Sequence, residues 1–367
     1  MKILLCTNAF EHVTNGPAKF AQLILHINKF ESEHQVAILT EDTHSNSKYE
    51  YALHLSIPSW LRPAGMFVRM WAYHRKAKKL HATSFPFQIL VYNNAIVSLR
   101  SALSFKPVIG FINDDNNASI SWRSGLLRFK WSRKHLFFIT EWLATRLCSS
   151  IVVNSDYLQQ YVIKRYRANP AKIVRLYKAI DTPLYTSERH NTQPVILFVK
   201  NDFERGGLFT LLNAIHSLNR PVKLQVAGPP ESARKKIETA ARNLDVELQF
   251  LGIQSQDTIF SLMRKADVFC VPSYREALGV ANMEAIACGC AVVSTNTGGI
   301  TEVLDHGQHG WLVEPGDAEA LARALTEAID NNPLRIQKIQ SGQASLHRFQ
   351  KDVLLNNFIA IMKKHVC

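Results

Sequence analysis

Short runs of apolar and β-branched residues recur along the whole chain. Longer stretches separate them, with apolar residues returning every three or four positions. In the first half the short runs fall at residues 2–6, 35–39, 88–92, 107–112, 150–153 and 173–176. In the second half they fall at 195–199, 222–226, 247–251, 267–271, 291–294 and 310–313. Helical spacing covers 20–30, 209–218, 231–244 and 318–330, among other segments. Runs of strand length that are apolar at successive positions suit parallel strands covered on both faces. The expected fold class is α/β, with two Rossmann-like domains.

Length agrees with two cores, because 367 residues exceed what one typical core organises. Residues 181–194 are polar and carry Pro183 and Pro194, as a linker does. The expected division is therefore 1–185 and 186–350. A last helical stretch over 351–364 follows once the second domain has its strands. Residues 351–367 are expected to pack back across the hinge. No apolar run reaches the roughly 18–20 residues of a membrane span. Residues 1–9 read as a first strand and its loop rather than a secretion signal.

The six cysteines, Cys6, Cys148, Cys270, Cys288, Cys290 and Cys367, are scattered. Cys288-Gly289-Cys290 lacks a second pair at zinc spacing, so reduced thiols in a cytoplasmic protein are expected, with no metal site. Charge is less even. The formal net charge of +13 belongs wholly to the first half. Residues 1–185 hold 24 Lys and Arg against 11 Asp and Glu, whereas residues 186–367 hold 19 of each. A field this lopsided implies an anionic partner.

The densest chemistry lies at residues 272–289, which read Pro-Ser-x-x-Glu-x-x-Gly-x-x-x-x-Glu-Ala-x-Ala-x-Gly. Glu276 falls in a loop after a strand, and Glu284 falls on the helix that follows. A second strand then runs into Asn296-Thr297-Gly298-Gly299. Open α/β sheets bind ligands at the carboxyl ends of their strands, so two such units in succession make a crevice. The plainer alternative is a pair of solvated helix-surface glutamates.

This segment resembles the family 4 glycosyltransferases of the GT-B fold. The likeness continues through Gly298-Gly299-Ile300-Thr301-Glu302-Val303, Gly307, Gly310-Trp311-Leu312-Val313 and Pro315-Gly316-Asp317. Weaker echoes run through Phe250-Leu251-Gly252, Ala266-Asp267-Val268-Phe269, Asn154-Ser155 and Ile180-Asp181. The resemblance implies two Rossmann-like domains facing across a cleft, with residues 1–185 binding the acceptor and residues 186–350 the nucleotide sugar. It also implies transfer of a sugar from a nucleoside diphosphate, with retention of configuration and no metal. Glu276 would then contact the donor sugar and Glu284 the ribose. An ionised carboxylate accepts several hydroxyl hydrogen bonds at once, which suits both jobs.

The diphosphate needs positive potential. Ala277, Leu278, Gly279 and Val280 stand at one helix entry, and Gly298 and Gly299 at another. Backbone N–H groups there can face a phosphate, and glycine lets it approach. For Gly298-Gly299 an ordinary tight turn is an equal alternative. Family members usually carry Gly-Arg and then Lys-Gly after the first strand of this domain. This chain reads Lys200-Asn201-Asp202-Phe203-Glu204-Arg205-Gly206 instead. Arg205 is therefore the candidate clamp and Lys200 the second. Arg205 pairing with Asp202 or Glu204 on a solvated loop is the alternative.

In the first domain, Gly16 belongs to a loop resembling the family's glycine loop, reduced to one glycine. Residues 110–115 end in Asn113-Asp114-Asp115 where many relatives carry His-Asp. The resemblance thus puts Asn113 and Asp114, with Glu276, at the reacting sugar. Asparagine cannot change charge, so no dedicated general base is expected there. Capping of the next helix is an equal alternative for 113–115.

The basic excess concentrates in two segments. Residues 60–81 hold Arg62, Arg69, Arg75, Lys76, Lys78 and Lys79 among Met66, Phe67, Val68, Met70 and Trp71. Residues 122–138 hold Arg123, Arg128, Lys130, Arg133 and Lys134 among Leu126, Leu127, Phe129, Trp131 and Leu136. Interleaving of this kind suits interfacial helices on anionic lipid, against the alternative of packed helices with a solvated basic face. No nucleic-acid-reading motif is present.

The expected function is a retaining hexosyltransferase, cytoplasmic and peripheral on the membrane. Its partners would be a nucleotide-sugar donor, a glycan or lipid-linked acceptor and an anionic membrane surface, with no cofactor and no nucleic acid. Cell-surface polysaccharide or lipopolysaccharide synthesis is the expected setting. A GT-B-fold nucleotide-sugar epimerase and a non-catalytic sugar-nucleotide-binding protein stay open beside it.

Overall fold

The computed structural model describes all residues except 11–15, 31–32, 42–47, 116–132, 186–190, 243, 245 and 367. The chain forms two compact units, Met1–Ala179 with Lys351–Cys367, and Ile180–Gln350. The first unit begins with β1 (Lys2–Thr7), β2 (Gln35–Thr40), β3 (Glu50–Ala52) and β4 (Ile89–Tyr92). It continues with β5 (Val108–Ile112), β6 (Ser150–Val153) and β7 (Ile173–Arg175). They make one seven-stranded sheet in the order β3-β2-β1-β4-β5-β6-β7, and every pairing is parallel.

Strand β3 has no counterpart in the apolar pattern. It is three half-buried residues on the sheet edge, too short and too polar to stand out.

The continuous apolar strands are explained by burial on both faces. Leu4 and Cys6 of β1 face one core, with Met70, Tyr73, Ala77 and Leu80 of the helix Gly65–Thr83. Ile3 and Leu5 face the other, with Leu354, Phe358 and Met362 of the helix Lys351–Lys363. This second face of the first sheet is therefore covered in part by the last helix of the chain.

The second unit holds β8 (Val195–Val199), β9 (Val222–Ala227), β10 (Val246–Gly252), β11 (Val268–Val271), β12 (Ala291–Thr295) and β13 (Trp311–Val313). They form a parallel six-stranded sheet in the order β10-β9-β8-β11-β12-β13. Winding from β8 goes one way to β10, then resumes at β11 on the opposite side. The switch point lies between β8 and β11.

The division falls at Ala179, a little before the expected one at residue 185. Ile180 and, within the expected linker, Tyr185 are held by the second unit. Ile180 N donates to Phe349 O at 3.0 Å and Tyr185 N to Ala287 O at 2.8 Å. Gln343 Nε2 also donates to Tyr185 O, at 2.8 Å.

Helix boundaries differ from the periodic pattern at two places. The helix expected over 20–30 starts at Gly16 and is interrupted at His26, giving Gly16–Leu25 and Ile27–Phe30. The stretch 231–244 opens with a 3₁₀ turn, Glu231–Ala233, and continues as Arg234–Ala241.

The described cysteines Cys6, Cys148, Cys270, Cys288 and Cys290 are all free and buried. Burial pushes the Cys6 and Cys270 thiols far above their ordinary value, so they are inert hydrophobes here. Cys367 lies outside the described residues.

The first basic segment divides its side chains between two faces. The helix Gly65–Thr83 buries Met70, Tyr73, His74, Ala77 and Leu80. Phe67, Trp71, Arg75, Lys78 and Lys79 face outward. Trp60, in the preceding 3₁₀ segment Ser59–Ala64, is 75 % exposed, with Phe67 at 47 % and Trp71 at 56 %. Most of the second basic segment lies outside the described residues; its last part belongs to the helix Arg133–Leu147. Among the described residues, no helix is long and apolar enough to cross a membrane.

Candidate functional site

Lys200 follows the last residue of β8, and Glu276 lies in the loop after β11. These are the two strands that flank the switch point. Their side chains meet in a short ion pair between Lys200 Nζ and Glu276 Oε2. The side chains are only 22 % and 26 % exposed, so salt screens them less than a surface pair. The sequence offered both as candidates, but their contact joins positions with no regular spacing.

Backbone contacts fix the loops that carry them. Tyr274 N donates to Arg205 O at 2.9 Å, and Arg205 Nε donates to Arg275 O at 3.2 Å. The tip after β8 is thereby tied to the tip after β11. Arg205 is thus oriented toward the Arg275 carbonyl, and its own N–H donates to Asp202 Oδ1 at 3.1 Å. Glu204 pairs with Lys236 instead. Of the two clamp candidates, it is Lys200 that reaches the carboxylate.

Thr295, the last residue of β12, donates Oγ1 to Ser273 O at 2.6 Å. Gly299 N donates to Glu276 O at 3.2 Å. Gly298 has φ +56°, and a Cβ there would fall 1.7 Å from the Glu276 carbonyl oxygen. A Cβ at Gly299 would fall 2.4 Å from Ala277 O. These two glycines therefore let the β12 loop lie against the backbone that carries Glu276. The helix they open, Ile300–Val303, is a single turn and has little dipole to offer an anion.

Gly279, at φ +87°, caps the helix Val280–Ala287. Ala277 and Leu278 are buried beneath the loop. Glu284, on that helix, accepts a hydrogen bond from Gln256 Nε2 at 3.2 Å. Gln256 opens the helix Gln256–Lys265 after β10. No motif in the sequence marked Gln256.

The remaining candidates lie in the first unit. Gly16 is the first residue of the helix Gly16–Leu25. Asn113 follows β5, and its Nδ2 donates to Asn93 O at 2.9 Å. Asn154 Nδ2 donates to Asn113 O at 3.0 Å, and Asn93 Nδ2 to Thr7 Oγ1 at 3.3 Å. Amide side chains thus link the carboxyl ends of β1, β4, β5 and β6. Asp114 Oδ1 accepts from Asp115 N at 2.7 Å, and buried Asp115 accepts from Tyr157 OH at 2.9 Å. The helix that 113–115 would cap falls outside the described residues.

Among the described residues, no group of three or more His, Cys, Asp and Glu side chains is placed to hold a metal ion. In the second unit, Lys200 and Glu276 pair beyond the carboxyl ends of β8 and β11, and the helix Val280–Ala287 that carries Glu284 follows the Glu276 loop.

The Glycosyltransferase Family 4 model matches residues 26–183, and the model for glycosyl transferases group 1 matches residues 186–344. The chain belongs to the family 4 glycosyltransferases. Among curated members, it is 30 % identical to D-inositol 3-phosphate glycosyltransferase of Corynebacterium aurimucosum over 224 residues, which is 55 % of this chain and 52 % of that protein. It is also 30 % identical to phosphatidyl-myo-inositol mannosyltransferase of Mycolicibacterium smegmatis over 178 residues, 47 % of this chain and 46 % of that one. The chain thus spans about half the length of the curated glycosyltransferases it matches. Anabaena HepE, solved in complex with UDP-glucose, superposes with a TM-score of 0.74 at 17 % identity. That match covers 99 % of this chain and 100 % of HepE, and the fold is GT-B.

Proposed function

We propose that this glycosyltransferase moves a hexosyl group from a nucleoside-diphosphate sugar to a hydroxyl of a glycan or lipid-linked acceptor. Configuration is retained and no metal takes part. The observation that carries the reading is the Lys200–Glu276 pair at the switch point of the second sheet. The ligand crevice of an open α/β sheet lies at such a point.

A donor entering here would give Lys200 a new anionic partner in its diphosphate. Glu276 would then be released toward the sugar hydroxyls, which its carboxylate can only accept from. Backbone N–H groups before the helix Val280–Ala287 would share the phosphate charge. Glu284, steadied by Gln256, would take the ribose hydroxyls. The bond from the anomeric carbon to the phosphate oxygen breaks, and the acceptor oxygen bonds to that carbon on the same face. The acceptor proton ends on the leaving diphosphate. Asn113 stays neutral throughout and serves as a hydrogen-bonding group.

Donor identity is tested by thermal denaturation with UDP-, GDP- and ADP-sugars. A true donor at a hundredfold excess over its Kd stabilises by about 2.7 kcal/mol, so its melting temperature rises by several degrees. If no nucleotide sugar shifts the transition, the donor reading fails. Recovery of an epimerised sugar from donor alone would favour an epimerase.

The same reading puts the protein on the cytoplasmic face of a membrane that displays the acceptor. Support comes from Trp60, Phe67 and Trp71, exposed beside Arg75, Lys78 and Lys79. The Arg75 guanidinium lies 5.2 Å from the Trp71 ring. Aromatic rings beside cations suit an anionic lipid surface. Vesicles rich in phosphatidylglycerol are expected to carry the protein on flotation. Serine at all three aromatic positions should leave most of it unbound. Equal recovery with neutral and anionic vesicles would count against the membrane.

A further inference from the structure

The first sheet has a switch point of its own, because β1 lies between β2 and β4. A cavity of about 290 Å³ sits at the carboxyl ends of these three strands. Thr7 closes β1, Glu41 follows β2, and Asn94 follows β4; all three line it. Nothing in the donor site described above uses this cavity.

Its walls differ in chemistry. One is polar. Arg69 Nε donates to both oxygens of Glu41, at 2.9 and 3.0 Å. Tyr73 OH donates to Thr7 O at 2.6 Å and lies 3.3 Å from Glu41 Oε1. Burial, with Glu41 close by, pushes the Tyr73 hydroxyl well above its ordinary value, so it remains a donor. The Glu41 side chain is 14 % exposed and keeps acceptor capacity beyond these bonds. The apolar part of the lining includes Met66, from the same helix as Arg69 and Tyr73, and Ile96, Val97 and Phe137, from other elements.

We propose that this cavity is the acceptor subsite, and that it takes one neutral hexose ring whose hydroxyls are read by Glu41. The proposal rests on the transferase reading above. A pyranose has an apolar C–H face and an equator of hydroxyl donors, which matches a cavity lined by both apolar side chains and a carboxylate. The volume is at the small end of small-molecule sites and suits a single ring. An anionic sugar fits poorly. The Arg69 Nε–H is already committed to Glu41, and a ligand carboxylate would lie against the Glu41 charge. The position also suits a reacting group. Asn93, the neighbour of Asn94, holds Asn113 through the bond from Asn113 Nδ2.

The helix Gly65–Thr83 forms part of the polar wall through Arg69 and Tyr73. Residues two apart on a helix point to nearly opposite sides. Phe67 and Trp71 accordingly face outward from the same turns. The cavity is therefore separated from the aromatic outer face by roughly one helix diameter, about 10 Å. That reach suits a hexose attached directly to a lipid.

Octyl glycosides below their micellar concentration supply the probe: a hexose on a short chain, titrated calorimetrically into the whole protein. At least one of octyl glucoside, galactoside and mannoside is expected to bind, and octyl glucuronide to bind at least tenfold more weakly. Glu41→Gln should weaken the neutral ligand at least tenfold. Val97→Trp, which fills the cavity from its apolar side, should abolish binding. The nucleotide-sugar thermal shift reports folding of each variant and tests the donor site separately. Absence of binding by all three neutral glycosides overturns the proposal. So does tighter binding of the glucuronide, or unchanged affinity in both variants. Glycoside binding without any nucleotide-sugar shift would sink the transferase reading while leaving a hexose site in the cavity.

Discussion

Glu276→Ala is expected to lower kcat/KM for sugar transfer by about 10²–10³-fold. A hydrogen bond to a charged group contributes about 1.5–3 kcal/mol, and a carboxylate reading two sugar hydroxyls loses both bonds on truncation. Each 1.36 kcal/mol is tenfold in rate, so a loss of roughly 3–4 kcal/mol gives that range. The variant also separates the roles of the pair. Lys200 loses its present partner and remains available to a diphosphate. Binding of the free nucleoside diphosphate should therefore be kept or tightened, while the sugar-bearing donor loses its extra affinity. Side-by-side titration of diphosphate and donor, with initial rates, checks both halves. Transfer within threefold of the parent enzyme would remove Glu276 from the donor site.

Gly298→Ala should cost the second unit several degrees of melting temperature and its donor binding. A residue with a side chain at φ +56° is strained by about 1–3 kcal/mol. Here the new Cβ would also fall 1.7 Å from Glu276 O, so one of the two loops must move. With about 2–4 °C per kcal/mol for a unit of this size, a drop of roughly 2–12 °C is expected from the strain alone. Gly307→Ala is the matched control. Its φ is +97°, yet a Cβ there meets nothing within 4 Å, so it isolates backbone strain from collision. Equal melting temperatures and full donor binding in both variants would show that the β12 loop does not position Glu276.

The strands were legible because parallel strands buried on both faces leave a continuous apolar signal. Ser150–Val153 and Val195–Val199 fall where that signal puts them. Glu50–Ala52 has no such signal, since an edge strand three residues long is defined by its partner β2 rather than by its own composition. Within the site, Glu276, Glu284 and Gly279 stood out because one loop and its helix carry all three. Pairings between loops stayed hidden. Nothing local couples Lys200 to Glu276, Gln256 to Glu284, or Arg69 to Glu41; sheet order brings each pair together. Arg205 and Lys200 are both visible as clamp candidates by position, whereas the bond from Arg205 Nε to Arg275 O depends on how two loops meet. Gly298 read as a phosphate-approach residue, and its sharpest constraint is a neighbouring carbonyl.

The helix Lys351–Lys363 belongs to the first unit although it follows every strand of the second. During synthesis the seven strands of the first sheet emerge long before the side chains that cover one of their faces. Leu354, Phe358 and Met362 reach Ile3 and Leu5 only after residue 350 has left the ribosome. Domains usually fold in the order they are made. Here the second unit can close first, while the first waits with an apolar face open to chaperones. A fragment ending at residue 179 should accordingly aggregate, and supplying 351–367 as a separate peptide should rescue its solubility.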